Sequence, residues 1–293
     1  MKSSILIYNP AALRASTGKI GRAQEFLERK GFLSEVLLTE KSGHAEHLAR
    51  ECLKRNPDLI IAAGGDGTIN EVMNGIVFSG TPLAILPMGT TNVLAKELGV
   101  PENVMGALER AVNGLPRKVS LGKIETGEGG HPAARYFCLM AGIGFDGKAV
   151  HDVSPYIKKI SGKAAYIMSG MKSMLGYPPG EIVIRTEDRE FTAYSAIVGK
   201  SSKYGGNLKV TPDANLLDPF LYACIFRGRS RTDILRYFLG VLRGTHLGYS
   251  DVEYVKSSLL EVRGRVDVQI DGDYLGMTPA RISVVRDALD LVW

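Results

Sequence analysis

The sequence predicts two domains of different class, a doubly wound α/β domain followed by a mainly antiparallel β-sandwich. Three observations predict it. Up to Leu121, strand-like and helix-like segments alternate in the rhythm of βαβ units. Leu59-Ile60-Ile61-Ala62-Ala63 is an unbroken apolar run, as a central parallel strand covered on both faces requires. Beyond Leu121, short strand candidates separated by turn residues dominate.

In order, Ile5–Tyr8 reads as a strand, Ile20–Lys30 as a helix and Leu33–Leu38 as a second strand. Gly43–Arg55 places Ala45, Leu48, Ala49 and Cys52 along one side of a helix. The strand Leu59–Ala63, the helix Ile69–Val77 and the strand Leu83–Leu86 complete the first domain, whose ligands are expected beyond the carboxyl ends of the strands. The second domain offers strands at Tyr136–Met140, Glu181–Arg185, Thr192–Val198, Leu221–Phe226, Leu259–Val262 and Val266–Ile270. Two helices interrupt them. One carries Ile157, Ile160, Ala164, Ile167, Met171 and Met174 at three- and four-residue steps, and the other covers Ile234–Leu242. The expected boundaries are 1–122 for the α/β domain and 123–286 for the β-rich domain.

Composition narrows the class. Over 293 residues, 45% are hydrophobic and 23% charged, ordinary values for a globular protein. No stretch is apolar for the roughly 18 residues a membrane span needs. Met1–Ser4 lead straight into a strand, so a signal peptide is not expected. Cys52, Cys138 and Cys224 lie far apart, without zinc or CxxC spacing, which fits a reducing cytoplasm. A formal charge of +5 suits anionic nucleotides or phospholipid surfaces and is too weak to indicate nucleic acid. A homodimer is compatible with the sequence, which carries no signal for or against one.

The chemistry concentrates in Gly64-Gly65-Asp66-Gly67-Thr68-Ile69-Asn70, between the buried strand and a helix. Glycines let a backbone approach phosphate closely, and the following helix aims its N–H groups at that anion. A carboxylate facing phosphate is repulsive unless a cation intervenes, so Asp66 is expected to reach Mg²⁺, directly or through water. The purely structural alternative makes the glycines a tight turn and Asp66 a helix cap. Pro87-Met88-Gly89-Thr90-Thr91-Asn92 joins the next strand to the next helix and is expected to clamp a second phosphate. Ser16-Thr17-Gly18-Lys19 is not a P-loop, because Leu13 stands where its first glycine belongs and Ile20 replaces the Ser/Thr.

These segments resemble the diacylglycerol kinase catalytic-domain family, which includes soluble bacterial diacylglycerol kinases, YegS-like lipid kinases and sphingosine kinases. Asn9-Pro10 is similar to the family's opening turn, Thr39 with Gly43-His44-Ala45 to its next strand–helix unit, and Gly64–Gly75 to GGDGTxNExxNG. The P-x-G-T-x-N loop is present, with Val93 where many members have Asp. Ala141–Asp146 resembles the G-x-G-x-D junction segment. The resemblance implies ATP contacts at Asn9, Thr39, Gly64, Gly65, Asp66, Gly67, Thr68, Ile69, Asn70, Gly89, Thr90 and Asn92. It also implies that Pro212–Asp218, similar to P-x-A-x-x-x-D, holds a structural Mg²⁺ through the Asp218 carboxylate and the Asn215 and Phe220 backbones, although Pro219 replaces the usual glycine. Asp271-Gly272-Asp273 resembles the family's D-G-E, making Asp273 the base that takes the proton of a lipid hydroxyl. Asp-Gly-Asp also reads as a hairpin turn. The chain end, about 287–293, is implied to return to the first domain.

The implied activity is transfer of the γ-phosphoryl group of ATP to a lipid hydroxyl, diacylglycerol-like or sphingoid-like. It would occur in the cytoplasm, at a peripheral contact with the inner membrane surface. Lys158, Lys159, Lys163 and Lys172 on one predicted helix, and Arg227, Arg229, Arg231 and Arg236 elsewhere, are candidates for anionic headgroups, although each set also reads as a solvated face. An NAD kinase, which also uses GGDGT, and a non-catalytic nucleotide-binding module are the alternatives.

Overall fold

The structure is a computed structural model that describes residues 2–127, 133–152 and 180–293. The predicted helix carrying Ile157–Met174 and its lysines lies outside the described residues. The chain divides into two compact units, Met1–Ser120 with Arg286–Trp293, and Leu121–Val285.

The first unit is α/β. Its strands are β1 (Lys2–Tyr8), β2 (Phe32–Leu38), β3 (Leu59–Gly64) and β4 (Leu83–Pro87), all parallel, in the order β2-β1-β3-β4. Its helices are α1 (Thr17–Arg29), α2 (His44–Leu53), α3 (Asp66–Ile76), α4 (Val93–Leu98) and α5 (Val104–Asn113). Every residue of β3 is buried, as the unbroken apolar run predicts. Leu291, near the end of the strand Ala280–Val292, pairs with Leu83 of β4. Strand order reverses between β1 and β3, so connections leave their carboxyl ends in opposite directions and open a crevice there. Tyr8-Asn9 and Gly64-Gly65 lie at that crevice.

The second unit is an antiparallel sandwich. One sheet runs in the order Val252–Ser257, Leu221–Phe226, Ser195–Gly199, Met140–Ile143, Asp267–Ile270, Asp273–Met277. In the other, Leu259–Gly264 pairs with the first part of Ala280–Val292 and with Ile182–Arg185, which pairs with Glu190–Ala193. Alternate residues such as Ala196, Val198, Ala223 and Ile225 of the first sheet meet Ile184, Leu260, Val262 and Ile282 of the second in one buried core.

Two predicted strands prove to be pairs. Tyr136–Met140 divides into Ala133–Phe137 and Met140–Ile143, and Thr192–Val198 into Glu190–Ala193 and Ser195–Gly199. The first break has a visible cause. The amides of Cys138, Leu139 and Met140 turn toward the Asp271 carboxylate instead of a neighbouring strand. The helix predicted at Ile234–Leu242 spans Arg231–Arg243, its start fixed by a Ser230–Asp233 capping box.

Candidate active site

In the first unit the glycine segment is mostly helix. α3 begins at Asp66, so Asp66, Gly67 and Thr68 form its first turn, where N–H groups have no intrahelical partner. The Asn9 side chain donates to Thr68 Oγ1 at 2.9 Å, joining the end of β1 to this turn. A Cβ on Gly89 would stand 2.6 Å from the Gly65 Cα, so the two loops touch backbone to backbone with no room for a side chain at Gly89, while a Cβ on Gly65 would make a tight 3.3 Å contact with the Gly89 Cα. Thr90 is half-buried beside that contact. Thr39 follows β2 and donates its amide to Tyr8 O at 2.9 Å.

Asp66 has a structural task that its sequence position does not reveal. Its two oxygens accept the amides of Val93 at 3.0 Å and Leu94 at 3.1 Å, so it caps α4 and locks the glycine turn to the Gly89-Thr90 loop. Burial pushes its carboxyl above the ordinary range, and those two amides pull against the shift. The cap alternative therefore holds for a different helix from the one Asp66 begins.

Three further expected nucleotide contacts are engaged within the protein. Ile69 is buried and its amide donates to Gly65 O at 3.0 Å, and Asn70 accepts from the Asn74 side chain. Asn92, with φ of 49°, accepts the Gly89 amide at 2.8 Å and donates to Gly89 O, bracing its own loop. Glu71 was missed as a site-builder. Its carboxylate accepts the amides of Gly43 at 2.8 Å and Ala45 at 3.1 Å, fixing the start of α2.

In the second unit, Ile270 pairs with Asp273 across a two-residue turn, Asp271-Gly272, with φ of 48° and 90°. Positive φ at both central residues is the type I′ hairpin signature, so the hairpin reading of Asp-Gly-Asp holds. The two acids differ. Asp271 is buried and accepts three amides, from Cys138 at 3.1 Å and from Leu139 and Met140 at 2.9 Å each. Asp273 is exposed at the start of the next strand. Gln269 braces the turn, accepting the Gly272 amide at 2.8 Å while its NH₂ donates to Asp146 at 2.5 Å. Asp146, of the Ala141–Asp146 segment, is fully enclosed and also accepts from Tyr204. Burial raises its carboxyl, while Tyr204 and Gln269 act to lower it.

The loop assigned to a structural Mg²⁺ is already held by a cation. The Lys200 ammonium donates to Asn215 O at 2.5 Å and to Asp218 O at 2.7 Å. The Asp218 carboxylate accepts from Tyr222 OH at 2.5 Å and lies 3.3 Å from Lys256 Nζ, which also stands 4.2 Å from the Phe220 ring centre. This donor set does not fit a further divalent ion, because an ammonium occupies the point on which the two carbonyls converge. Of the expected ligands, Asn215 and Asp218 give their carbonyls to Lys200, and the Asp218 carboxylate and the Phe220 ring face Lys256. Burial pushes the Lys200 ammonium down to about 8, opposed by Asp218. Among the described residues, no cluster of three His, Cys, Asp or Glu side chains could hold a metal.

The described residues thus form a parallel α/β unit with a glycine turn at its switch point and an antiparallel sandwich. The model for the diacylglycerol kinase catalytic domain matches residues 3–124, and that for the YegS C-terminal, NAD kinase β-sandwich-like domain matches 140–293. A diacylglycerol kinase of Bacillus subtilis is 32% identical over 287 residues, spanning 95% of this chain and 92% of the relative. One of Staphylococcus aureus is 29% identical over 297 residues, 99% and 92% of the two chains. A crystal structure of a diacylglycerol kinase from Bacillus anthracis superposes with a TM-score of 0.72 at 20% identity, covering 100% of this chain and 96% of that one. Yeast NADH kinase shares the fold more distantly, with a TM-score of 0.55 at 11% identity over 99% and 83%. The chain belongs to the diacylglycerol kinase family and is, as such, an ATP-dependent lipid kinase. Among the described residues, no helix is long and apolar enough to cross a membrane.

Proposed function

We propose that the enzyme transfers the γ-phosphoryl group of Mg²⁺-ATP to the free hydroxyl of a diacylglycerol-like lipid. The observation that carries the nucleotide half is the backbone contact of Gly65 with Gly89, which sets two N–H-rich turns side by side at the switch point. Phosphates would lie against the amides of Gly65, Gly67 and Thr68 and the Thr90 hydroxyl, with Thr39 and Asn9 framing the pocket. A single carboxylate together with substrate phosphate oxygens is a donor set Mg²⁺ accepts, and Asp66 keeps a second lone pair on each oxygen for a bridging water. Mg²⁺ would supply charge neutralisation at the transferring phosphoryl group.

The lipid half rests on the relatives, described as diacylglycerol kinases along both units. Asp273 serves as general base. As the lipid oxygen bonds to the γ-phosphorus and the bond to the ADP oxygen breaks, the hydroxyl proton passes to the Asp273 carboxylate. Its side chain is one methylene shorter than the family's glutamate, and phosphoryl transfer tolerates this because positioning and charge stabilisation supply most of the catalysis. The lipid is met at a membrane surface, and Arg227 and Arg229, both outside the regular elements, are candidates for headgroup contact.

Incubation of the purified enzyme with radiolabelled ATP, Mg²⁺ and a panel of dispersed diacylglycerol, monoacylglycerol, sphingosine, ceramide and phosphatidylglycerol, with NAD as a soluble competitor, tests the proposal. The label is expected in phosphatidic acid. Label appearing only in NADP overturns the lipid assignment, and label in no product favours a nucleotide-binding module.

A further inference from the structure

Among the described residues, Lys200 is the largest fully buried polar side chain, at 0% exposure, and its surroundings account for its charge. It follows directly on the strand Ser195–Gly199, and its own amide donates to Leu139 O at 2.8 Å, fixing where the side chain begins. The ammonium ends where the carbonyls of Asn215 and Asp218 converge. Those carbonyls are brought together by the loop's own turn. Asn215 Oδ1 accepts the amides of Leu217 at 2.9 Å and Asp218 at 3.0 Å, an Asx-type closure that turns the backbone oxygens inward. The Asp218 carboxylate supplies the compensating negative charge, shared with Lys256.

We propose that the Lys200 ammonium is the resident cation of the 215–218 loop, taking the place of a bound divalent metal, so that this loop folds and holds its shape without one. The two arrangements exclude each other. Oxygen ligands approach Mg²⁺ to about 2.0–2.1 Å, and those oxygens are already within hydrogen-bond reach of Nζ. A buried lysine between carbonyls and near a carboxylate is a costly group unless it is paired, and the pairing here is to the loop itself. The same residue reaches the Asp273 hairpin by a short route, since Leu139, which accepts the Lys200 amide, donates its own amide to Asp271.

The test uses nucleotide-free, metal-stripped, full-length protein and Mn²⁺ as the probe, by calorimetric titration with thermal unfolding in parallel. The wild type is expected to show no Mn²⁺ site that Asp218→Asn removes. Its Tm is expected to move by less than about 1 °C between chelator and millimolar Mn²⁺, a shift too small for a ligand bound tightly to the native state. Lys200→Ala is expected to lose roughly 5–15 °C in Tm, as removal of one partner from a buried charged cluster does. It is also expected to gain a Mn²⁺ site that a second substitution, Asp218→Asn, abolishes. A Mn²⁺ site in the wild type that disappears in Asp218→Asn overturns the proposal, and so does a Lys200→Ala protein with unchanged Tm. If Lys200→Ala fails to fold, the wild-type titration beside Asp218→Asn decides alone. Heat that persists in Asp218→Asn arises elsewhere in the chain and leaves the loop metal-free as proposed.

Discussion

The glycine turn at Asp66 and the hairpin at Asp271 meet the same physical requirement in different ways. Each places an aspartate, half-buried at Asp66 and buried at Asp271, so that its carboxylate collects backbone amides from another segment, two for Asp66 and three for Asp271. Asp66 lies 27 residues from its partner Val93, one strand along in the same parallel sheet. Asp271 reaches Met140 from 131 residues away, between strands that the antiparallel sheet sets side by side. The first anchor closes a local βαβ unit, and the second depends on the whole sandwich. In the second region the anchoring acid, Asp271, is distinct from Asp273, the group proposed to meet substrate. In the first, Asp66 both anchors α4 and is the carboxylate proposed to reach Mg²⁺ through water.

Substitutions sharpen that comparison. The largest effect is expected at Asp273, where Asp273→Ala lowers kcat by about 10²–10⁴-fold, the usual weight of a general base. Tm stays within about 2 °C, because the side chain is exposed. Near-full turnover by this variant removes Asp273 from the role of base, and Asp273→Glu tests whether the shorter carboxylate is preferred here. Asp66→Ala comes next. Two α4 amides lose their acceptor, with a stability cost of about 2–4 kcal/mol in denaturant titrations and a higher KM for ATP as the Gly65–Gly89 contact loosens. If stability falls while KM and kcat hold, the two loops do not depend on this tie.

Asp271→Ala is expected to cost a similar or greater stability, about 3–5 kcal/mol, since three buried amides are stranded. Asp271→Asn should recover part of it through the remaining amide oxygen. Activity is expected to fall with the hairpin geometry, and a loss of stability with intact kcat would separate the anchor from Asp273.

The smallest effect belongs to Glu187. Its carboxylate is desolvated in part, which raises it, but bonds from Ser257 and Ser258 prevail and hold it at about 2, below the ordinary 4.5. A depressed folded-state value gives stability that is complete above the ordinary value and lost as pH falls toward 2. Because the residue is exposed, the contribution is under about 1 kcal/mol. Acid titration of Tm should show a slope between pH 4.5 and pH 2 that Glu187→Gln flattens.

The sequence by itself determined the fold class, the buried run of β3, the glycine turn and the Asp-Gly-Asp hairpin. Each is encoded within a few adjacent residues, where apolar patterning and φ preference act directly. Among the described residues, the limits of the predicted helices and strands were legible to within a few residues, apart from the strand broken at Cys138 by a carboxylate from far along the chain and the one that divides at Tyr194. Only the tertiary structure decided what the polar residues do. It turned Asn92 onto its own loop, gave Asp66 the cap of a helix it does not belong to, and set Asp146 and Gln269 behind the Asp273 hairpin. It also drove Lys200, which belongs to no motif, into the loop assigned to a metal. The reason is physical. A buried charge is tolerated only where its partners converge, and partners that converge from distant segments leave no mark on the residues beside it in sequence.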